Sequence, residues 1–327
     1  MVIASDTSPR CPLPMPWGWF QVLYSDELAV GESKPLRCFD QELVIFRTES
    51  GAAKVLDAYC PHMGAHLGYG IRDQAGGGSR IVGESIECPF HGWRFNGEGA
   101  CEHIPYCEDI PSRARVTNWP TTEINGEIYM WFHPTGDEPQ WQVPEVEQLG
   151  DDNWTEPRQV EFLVPTHVQD IAENACDPEH FQYVHKQNET PPSSVTVEDD
   201  GAVHLRADMN ASGMPGQLHA TMFQPGLATV HTSYGPGAEM LVYNSAQPYS
   251  REETLLRWTL TVRREIADLA GDQVMNGIID GLQDDYPIWK NKVHRRQPIF
   301  CKGDETLVMF RKWVRKFYLP NSERGQQ

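Results

Sequence analysis

Cys60-Pro61-His62 and Cys88-Pro89-Phe90-His91 are two short stretches separated by residues 63–87, and each supplies one thiolate and one imidazole. A [2Fe–2S] cluster of mixed ligation needs two Cys on one iron and two His on the other, so one of each per loop satisfies both irons symmetrically. Neutral imidazoles lower the negative charge of the cluster and raise its potential above that of an all-thiolate cluster. A zinc site of two Cys and two His takes the same donors. Such sites, however, usually space their paired ligands by two or more residues, and Cys60 and His62 are closer than that. His66 is a rival ligand in the first stretch and reads as a solvent-facing or packing histidine.

Around these loops the chain reads as short strands joined by turns. Residues 43–48 and 54–59 flank Glu49-Ser50-Gly51, a hairpin signal. Asn125-Gly126 supplies the positive φ of a type I′ turn between residues 122–124 and 128–132. Residues 133–154 carry Pro134, Pro139, Pro144 and many carboxylates, a composition that suits a boundary. Expected, therefore, are a mainly β domain over 15–135, a linker over 136–157 and a second domain over 158–327. In that second domain Ile266, Leu269, Ile278, Leu282, Asp285 and Trp289 recur mostly at three- or four-residue steps. They predict one long helix over 264–292 with a slip near Val274. Alternating stretches at 203–206 and 255–262 predict strands, giving an α+β fold. No internal repeat is present, and Gly76-Gly77-Gly78 reads as a flexible surface loop.

Composition narrows the function. With 27 Lys and Arg against 46 Asp and Glu the net charge is −19, which disfavours a nucleic-acid partner or an anionic membrane. The first ten residues hold one basic residue, Arg10, and no apolar core of a signal peptide; no run of eighteen apolar residues follows, so a cytoplasmic protein is the default expectation. Eight cysteines are too sparse for a disulfide scaffold, and Cys11, Cys38, Cys101, Cys107 and Cys301 show no ligand spacing.

A second constellation lies at residues 173–185, where Asp177 precedes His180 by three residues and His185 follows it by five. Two imidazoles and one further carboxylate make a facial triad, which leaves positions open on Fe(II) for O₂ and substrate. Five residues on a regular helix turn through about 140°, so a distorted turn must bring the two histidines together, and Asp177-Pro178 can help cause it. A zincin is disfavoured, because its histidines lie four apart around a Glu. Bland readings compete: Asp177-Pro178 is a good helix cap with proline at the first position, and lone histidines pack more often than they ligate. Asp285 is the candidate third ligand, three residues after Leu282 and four before Trp289, on their apolar stripe, while Asp284 falls on its flank. A buried carboxylate needs a partner, either a cation or a buried Arg or backbone donor. Pro287 is expected to perturb that helix by freeing the carbonyl of Gln283.

Cys60-Pro61-His62 with Cys88-Pro89-Phe90-His91-Gly92-Trp93 resembles the signature of Rieske ring-hydroxylating and related oxygenases, with residues 72–80 as an insertion between the halves. Residues 177–185 resemble that family's D-x-x-H-x-x-x-x-H iron motif. Pro16-Trp17-Gly18-Trp19-Phe20, residues 24–28, 56–62 and 283–292 resemble the oxygenase component of 3-ketosteroid 9α-hydroxylase; the likeness is thinner over 203–261, where the substrate cavity is expected. The resemblance implies an all-β Rieske [2Fe–2S] domain followed by a helix-grip catalytic domain, an antiparallel sheet with a long C-terminal helix, in a head-to-tail homotrimer. It implies Cys60, His62, Cys88 and His91 as cluster ligands and His180, His185 and Asp285 on a mononuclear iron. Asp177 would bridge His91 of one subunit to His180 of the next, with Asn174 as a candidate support for the ligands. Electrons from NAD(P)H would enter through a separate flavin or iron–sulfur reductase or a ferredoxin, since the chain has no G-x-G-x-x-G. The implied reaction is O₂-dependent hydroxylation of an apolar, steroid-like polycycle. Desaturation, demethylation or dihydroxylation of another apolar substrate uses the same iron chemistry. A Rieske electron carrier and a zinc-stabilised binding module are rivals of other classes, separable by iron content and by colour.

Overall fold

The computed structural model describes residues 10–70, 77–187, 189–211 and 213–319. The chain divides into two compact units, one of Trp17–Glu145 and one of the segment up to Pro16 with Val146 onward.

The first unit contains three small antiparallel sheets. Gly18–Tyr24, Glu127–Phe132 and Thr121–Ile124 form one; Ser33–Cys38, Gln41–Arg47, Ala53–Asp57 and Asn118–Trp119 a second; Ile81–Val82, Ser85–Glu87, Arg94–Asn96 and Cys101–His103 a third. Both expected hairpins are present, with Asn125 and Gly126 at φ 60° and 75° as a type I′ turn requires. Cys60 and Cys88 sit in one apolar core with Leu67, Ile86, Trp93 and Phe95. The glycine tract departs from expectation. Gly76 lies outside the described residues, as do 72–75 of the expected insertion, but Gly78 and Ser79 are buried against the strand Ser33–Cys38. A Cβ on Gly78 would stand 2.1 Å from the Ser33 carbonyl oxygen, so at Gly78 the expected loose loop is a close backbone contact.

The second unit is built on a seven-stranded antiparallel sheet. Six consecutive strands, Ser193–Val197 to Thr254–Val262, meander in order, and Arg158–Val164 pairs with the last of them. Strand alternation puts Leu205, Ala220 and Val230 side by side in a cross-strand row, with His204, His219 and His231 pointing to the other face. The helices are α1 (Val168–Asn174), α2 (His180–Tyr183), α3 (Arg264–Ala270), α4 (Gln273–Asn291) and α5 (Glu305–Trp313). The single long helix of the sequence reading is thus two. Gly271, at φ 56°, ends α3 by donating its N–H to the carbonyl of Ala267 (2.7 Å), so the slip near Val274 is a break between two helices and Leu269 is 89% exposed instead of inward. Helix α4 runs on through Pro287 to Asn291. No described helix is long and apolar enough to cross a membrane.

Candidate metal centres

The two cluster loops are copies of one turn. The N–H of Gly64 donates to the carbonyl of Cys60 (2.9 Å) and that of Cys60 to Ala65 (2.9 Å); Gly92 donates to Cys88 (3.0 Å) and Cys88 to Trp93 (2.7 Å). Both glycines are left-handed, at φ 72° and 71°, a conformation that costs an L-residue about 1–2 kcal/mol. The turn aims backbone N–H groups at sulfur: His62 and Met63 donate to Cys60, Phe90 and His91 to Cys88. Sequence reasoning gave Gly64 and Gly92 no role, although the spacing Cys-Pro-x-x-Gly, common to both stretches, carries the signal.

All four expected ligands converge. The Cys60 thiol donates to Cys88, which raises the pKa of Cys60 and lowers that of Cys88 to about 6, where backbone N–H groups also favour the thiolate. The rings of His62 and His91 lie 4.6 Å apart between centroids. His62 stacks on Trp93 (4.6 Å, 7°), and Trp93 Nε1 donates to the Tyr106 hydroxyl (2.8 Å). His62 Nδ1 is buried without a hydrogen-bond partner among the described residues. An orphaned buried nitrogen of this kind is unfavourable unless a ligand or metal takes its lone pair. Two thiols fed by N–H donors and two convergent imidazoles fit a Rieske cluster. His66 stands apart. Its Nδ1 accepts the N–H of Gly68 (2.9 Å), Tyr59 and Tyr69 pack on its ring, and burial lowers its pKa against the pull of Glu42. It is a packing histidine, not a solvent-facing one.

In the second unit the donor atoms of His180, His185 and Asp285 lie within 4.8 Å of one another. Helix α2 is a single turn that stops at Tyr183, so His185 is off the regular helix and histidines five apart reach one point, with ring centroids 5.1 Å apart. His185 Nε2 is 3.4 Å from Asp285 Oδ2. His180 gives its Nδ1–H to the backbone carbonyl of Asp177, leaving Nε2 as the donor atom toward the site, with Asn174 Nδ2 at 3.2 Å. A fixed tautomer of this kind is what a ligating histidine needs. The Asp177 carboxylate receives the backbone N–H of His180 and Glu179, a cap-like role. Burial raises its pKa, whereas burial lowers that of His180. Asp285 is 5% exposed and Asp284 is on the outer surface of α4. The side chain of Leu282, used to set that stripe, lies outside the described residues. Two imidazoles and one carboxylate facing a single point fit Fe(II) with open positions.

The triad borders a cavity of about 230 Å³ whose other walls are largely apolar, among them Leu205, Leu218, Ala220, Val230 and Trp289. Ile278, Gly281, Asp285 and Trp289 reach it from one stripe of α4. A further group of donor atoms, Cys11, Asp170 and His294, also lies within 4.8 Å. There the ammonium of Lys292, 3.4 Å from Asp170, already neutralises the carboxylate, and burial pushes the Cys11 thiol up to about 12.

Residues 130–318 match the family model described as 3-ketosteroid 9alpha-hydroxylase C-terminal domain, and residues 18–120 match the Rieske [2Fe-2S] domain. A cholesterol 7-desaturase of Caenorhabditis elegans is 31% identical over 96% of this chain and 79% of its own length. A probable 3-ketosteroid-9-alpha-monooxygenase, oxygenase component, of Rhodococcus rhodochrous is 30% identical over 92% of this chain and 79% of its own. Among solved structures, Pseudomonas putida CBB5 NdmA with caffeine superposes with a TM-score of 0.76 at 20% identity, covering 91% of this chain and 89% of that one. Dicamba monooxygenase bound to dicamba gives 0.72 at 18% identity, over 92% and 96%. At those identities the structural likeness speaks for the fold.

Proposed function

The chain belongs to the Rieske oxygenases that carry a 3-ketosteroid 9alpha-hydroxylase C-terminal domain, and on that footing we propose that it oxidises a steroid-like, largely apolar polycycle. It is the oxygenase component of a Rieske non-haem iron monooxygenase, with a [2Fe–2S] cluster, a mononuclear iron and O₂, and it takes its electrons from a separate reductase or ferredoxin. The apolar cavity beside the His180, His185 and Asp285 triad carries the substrate proposal. Relatives named for steroids on both the hydroxylating and the desaturating side support it.

In this reading Cys60, His62, Cys88 and His91 hold the cluster and His180, His185 and Asp285 the iron. When bound, the cluster supplies single electrons and the iron activates O₂. The chain's own residues do the positioning. Gly64 and Gly92 shape the loops, Trp93 holds the His62 ring, the Asp177 carbonyl fixes the tautomer of His180, and the Asn174 amide faces its Nε2. Leu205, Ala220, Val230 and Trp289 exclude water and give the substrate an apolar bed.

We assign residues 15–135 to the cluster domain, 136–157 to a linker and 158–327 to catalysis, in a cytoplasmic homotrimer in which Asp177 joins His180 to His91 of the neighbouring subunit. Tyr59, Met63, Phe90 and Tyr106, on or beside the cluster loops, are each more than half exposed, and Tyr183, beside His180, is 79% exposed. Exposed aromatic groups on both units favour burial between subunits. The deciding experiment is product analysis with a competent reductase across a panel of 3-hydroxy sterols, 3-ketosteroids and unrelated apolar compounds. A hydroxylated or desaturated steroid is expected, and its structure separates those two outcomes. Turnover confined to non-steroids would overturn the substrate.

A further inference from the structure

The net charge of −19 hides an opposite local charge. Residues 290–316 hold nine Lys and Arg against two Asp and Glu, in a chain with 27 against 46. The end of α4, the loop 292–304, α5 and the 3-10 turn Val314–Phe317 after it carry them. Arg296, Arg311 and Arg315 converge on one cavity of about 290 Å³, together with His294 and the hydroxyl-bearing Tyr318. Arg311 is already committed to Glu173, through Nε at 2.6 Å and Nη2 at 3.1 Å, and His294 to Asp170 at 3.3 Å. Arg296 and Arg315 are exposed and form no ion pair with any described residue. On the same loop Pro298-Ile299-Phe300 stands between Arg295-Arg296 and Lys302, and Ile299 is 100% exposed.

From this juxtaposition we infer that the loop 292–304 and the neighbouring turn Val314–Phe317 after α5 dock the enzyme on an anionic lipid bilayer, with a lipid phosphate seated between Arg296 and Arg315 and Ile299-Phe300 entering the acyl boundary. An acidic protein would reward the cations, but a protruding isoleucine then needs a socket of matching shape. A bilayer rewards both features without one. Guanidiniums facing one cavity suit a phosphate group. The acidic remainder of the chain does not cancel the patch, because at physiological ionic strength charges act over about 8 Å. The purpose of the surface rests on the apolar-substrate reading, since such substrates partition into bilayers, but its observations do not.

The test is flotation of the holoenzyme with sterol-free vesicles, of phosphatidylcholine alone or with about a third phosphatidylglycerol, at roughly 0.1 and 0.5 M salt. Without sterol and without turnover, its outcome is independent of the substrate proposal. Binding is expected only to the anionic vesicles at low salt. With each arginine near an anionic surface worth roughly fivefold, Arg296→Gln with Arg315→Gln should weaken binding by about 25-fold, while cluster absorption and melting stay as in the parent. Ile299→Ser with Phe300→Ser should weaken binding and leave its salt dependence unchanged. Failure of the parent to bind anionic vesicles at low salt, or unchanged binding by the arginine variant, overturns the inference. Unchanged vesicle binding with a raised KM for the electron donor would assign the surface to a protein partner instead.

Discussion

Replacing Gly92 and Gly64 by alanine, one at a time, probes the twin turn on which the cluster loops are built. Both residues sit near φ 71–72°, so each substitution carries a left-handed penalty of about 1–2 kcal/mol. The surroundings then separate them. A Cβ on Gly64 meets nothing within 4 Å, whereas a Cβ on Gly92 would stand 2.9 Å from Cγ of Pro105, a ring atom that cannot swing aside. Overpacking of that kind adds about 1–3 kcal/mol, so Gly92→Ala should cost roughly 2–5 kcal/mol and Gly64→Ala roughly 1–2. At about 4 °C per kcal/mol for a unit of this size, the midpoints should fall by about 8 °C or more and by about 4–8 °C respectively. The assay is loss of visible cluster absorption on heating at a fixed scan rate, beside circular dichroism of the same samples. Equal effects would remove Pro105 from the argument. A Gly92→Ala protein as stable as the parent would refute the requirement for a left-handed residue at that turn.

Other consequences follow from named groups. His167 caps α1 by accepting the N–H of Gln169 at Nδ1 (3.1 Å), and its Nε2 faces the carbonyl of Pro14 (3.2 Å), so it must be neutral; burial pushes its pKa down to about 4. Because the folded value lies below the unfolded one, stability present above about pH 6.5 is lost as pH falls toward 4, by about 3 kcal/mol at most. His167→Asn keeps a cap acceptor and should flatten that slope in urea titrations; an unchanged slope would clear His167. Asp177→Asn should retain both metal centres and lose most turnover, since that carboxylate faces no metal in this account. Co-expressing His91→Ala chains with His180→Ala chains should restore partial activity if electrons cross between subunits. Mixed trimers that are proven to form and stay inactive would refute the intersubunit route.

The fold was legible where local chemistry is strong. Asn125-Gly126 announced a hairpin because few other pairs accept two positive φ values. The convergence of Cys60, His62, Cys88 and His91 was legible because a Cys and a His within four residues, twice, have few uses. What escaped the sequence was tertiary. Gly78 reads as slack, yet its missing Cβ lets the backbone rest on Ser33, a contact 45 residues away in sequence. The periodic pattern from Ile266 to Trp289 ran through Gly271 because a helix-ending glycine and a tolerated one look alike in one dimension. Asp285 could be placed on the inward face, but the approach of His185 could not, since it depends on where the single turn of α2 stops. The basic stretch at 290–316 was masked by averaging charge over the whole chain.

The measurement closest to the central claim is iron, acid-labile sulfide and zinc per chain in the parent and in the Asp285→Ala and Asp284→Ala proteins, each with its visible spectrum. About three irons and two sulfides are expected in the parent. Asp285→Ala should fall to about two irons with the cluster spectrum unchanged, and Asp284→Ala should keep all three, because only Asp285 faces His180 and His185. A parent with two irons, or with zinc in place of iron, would contradict the assignment of two separate iron centres to this chain.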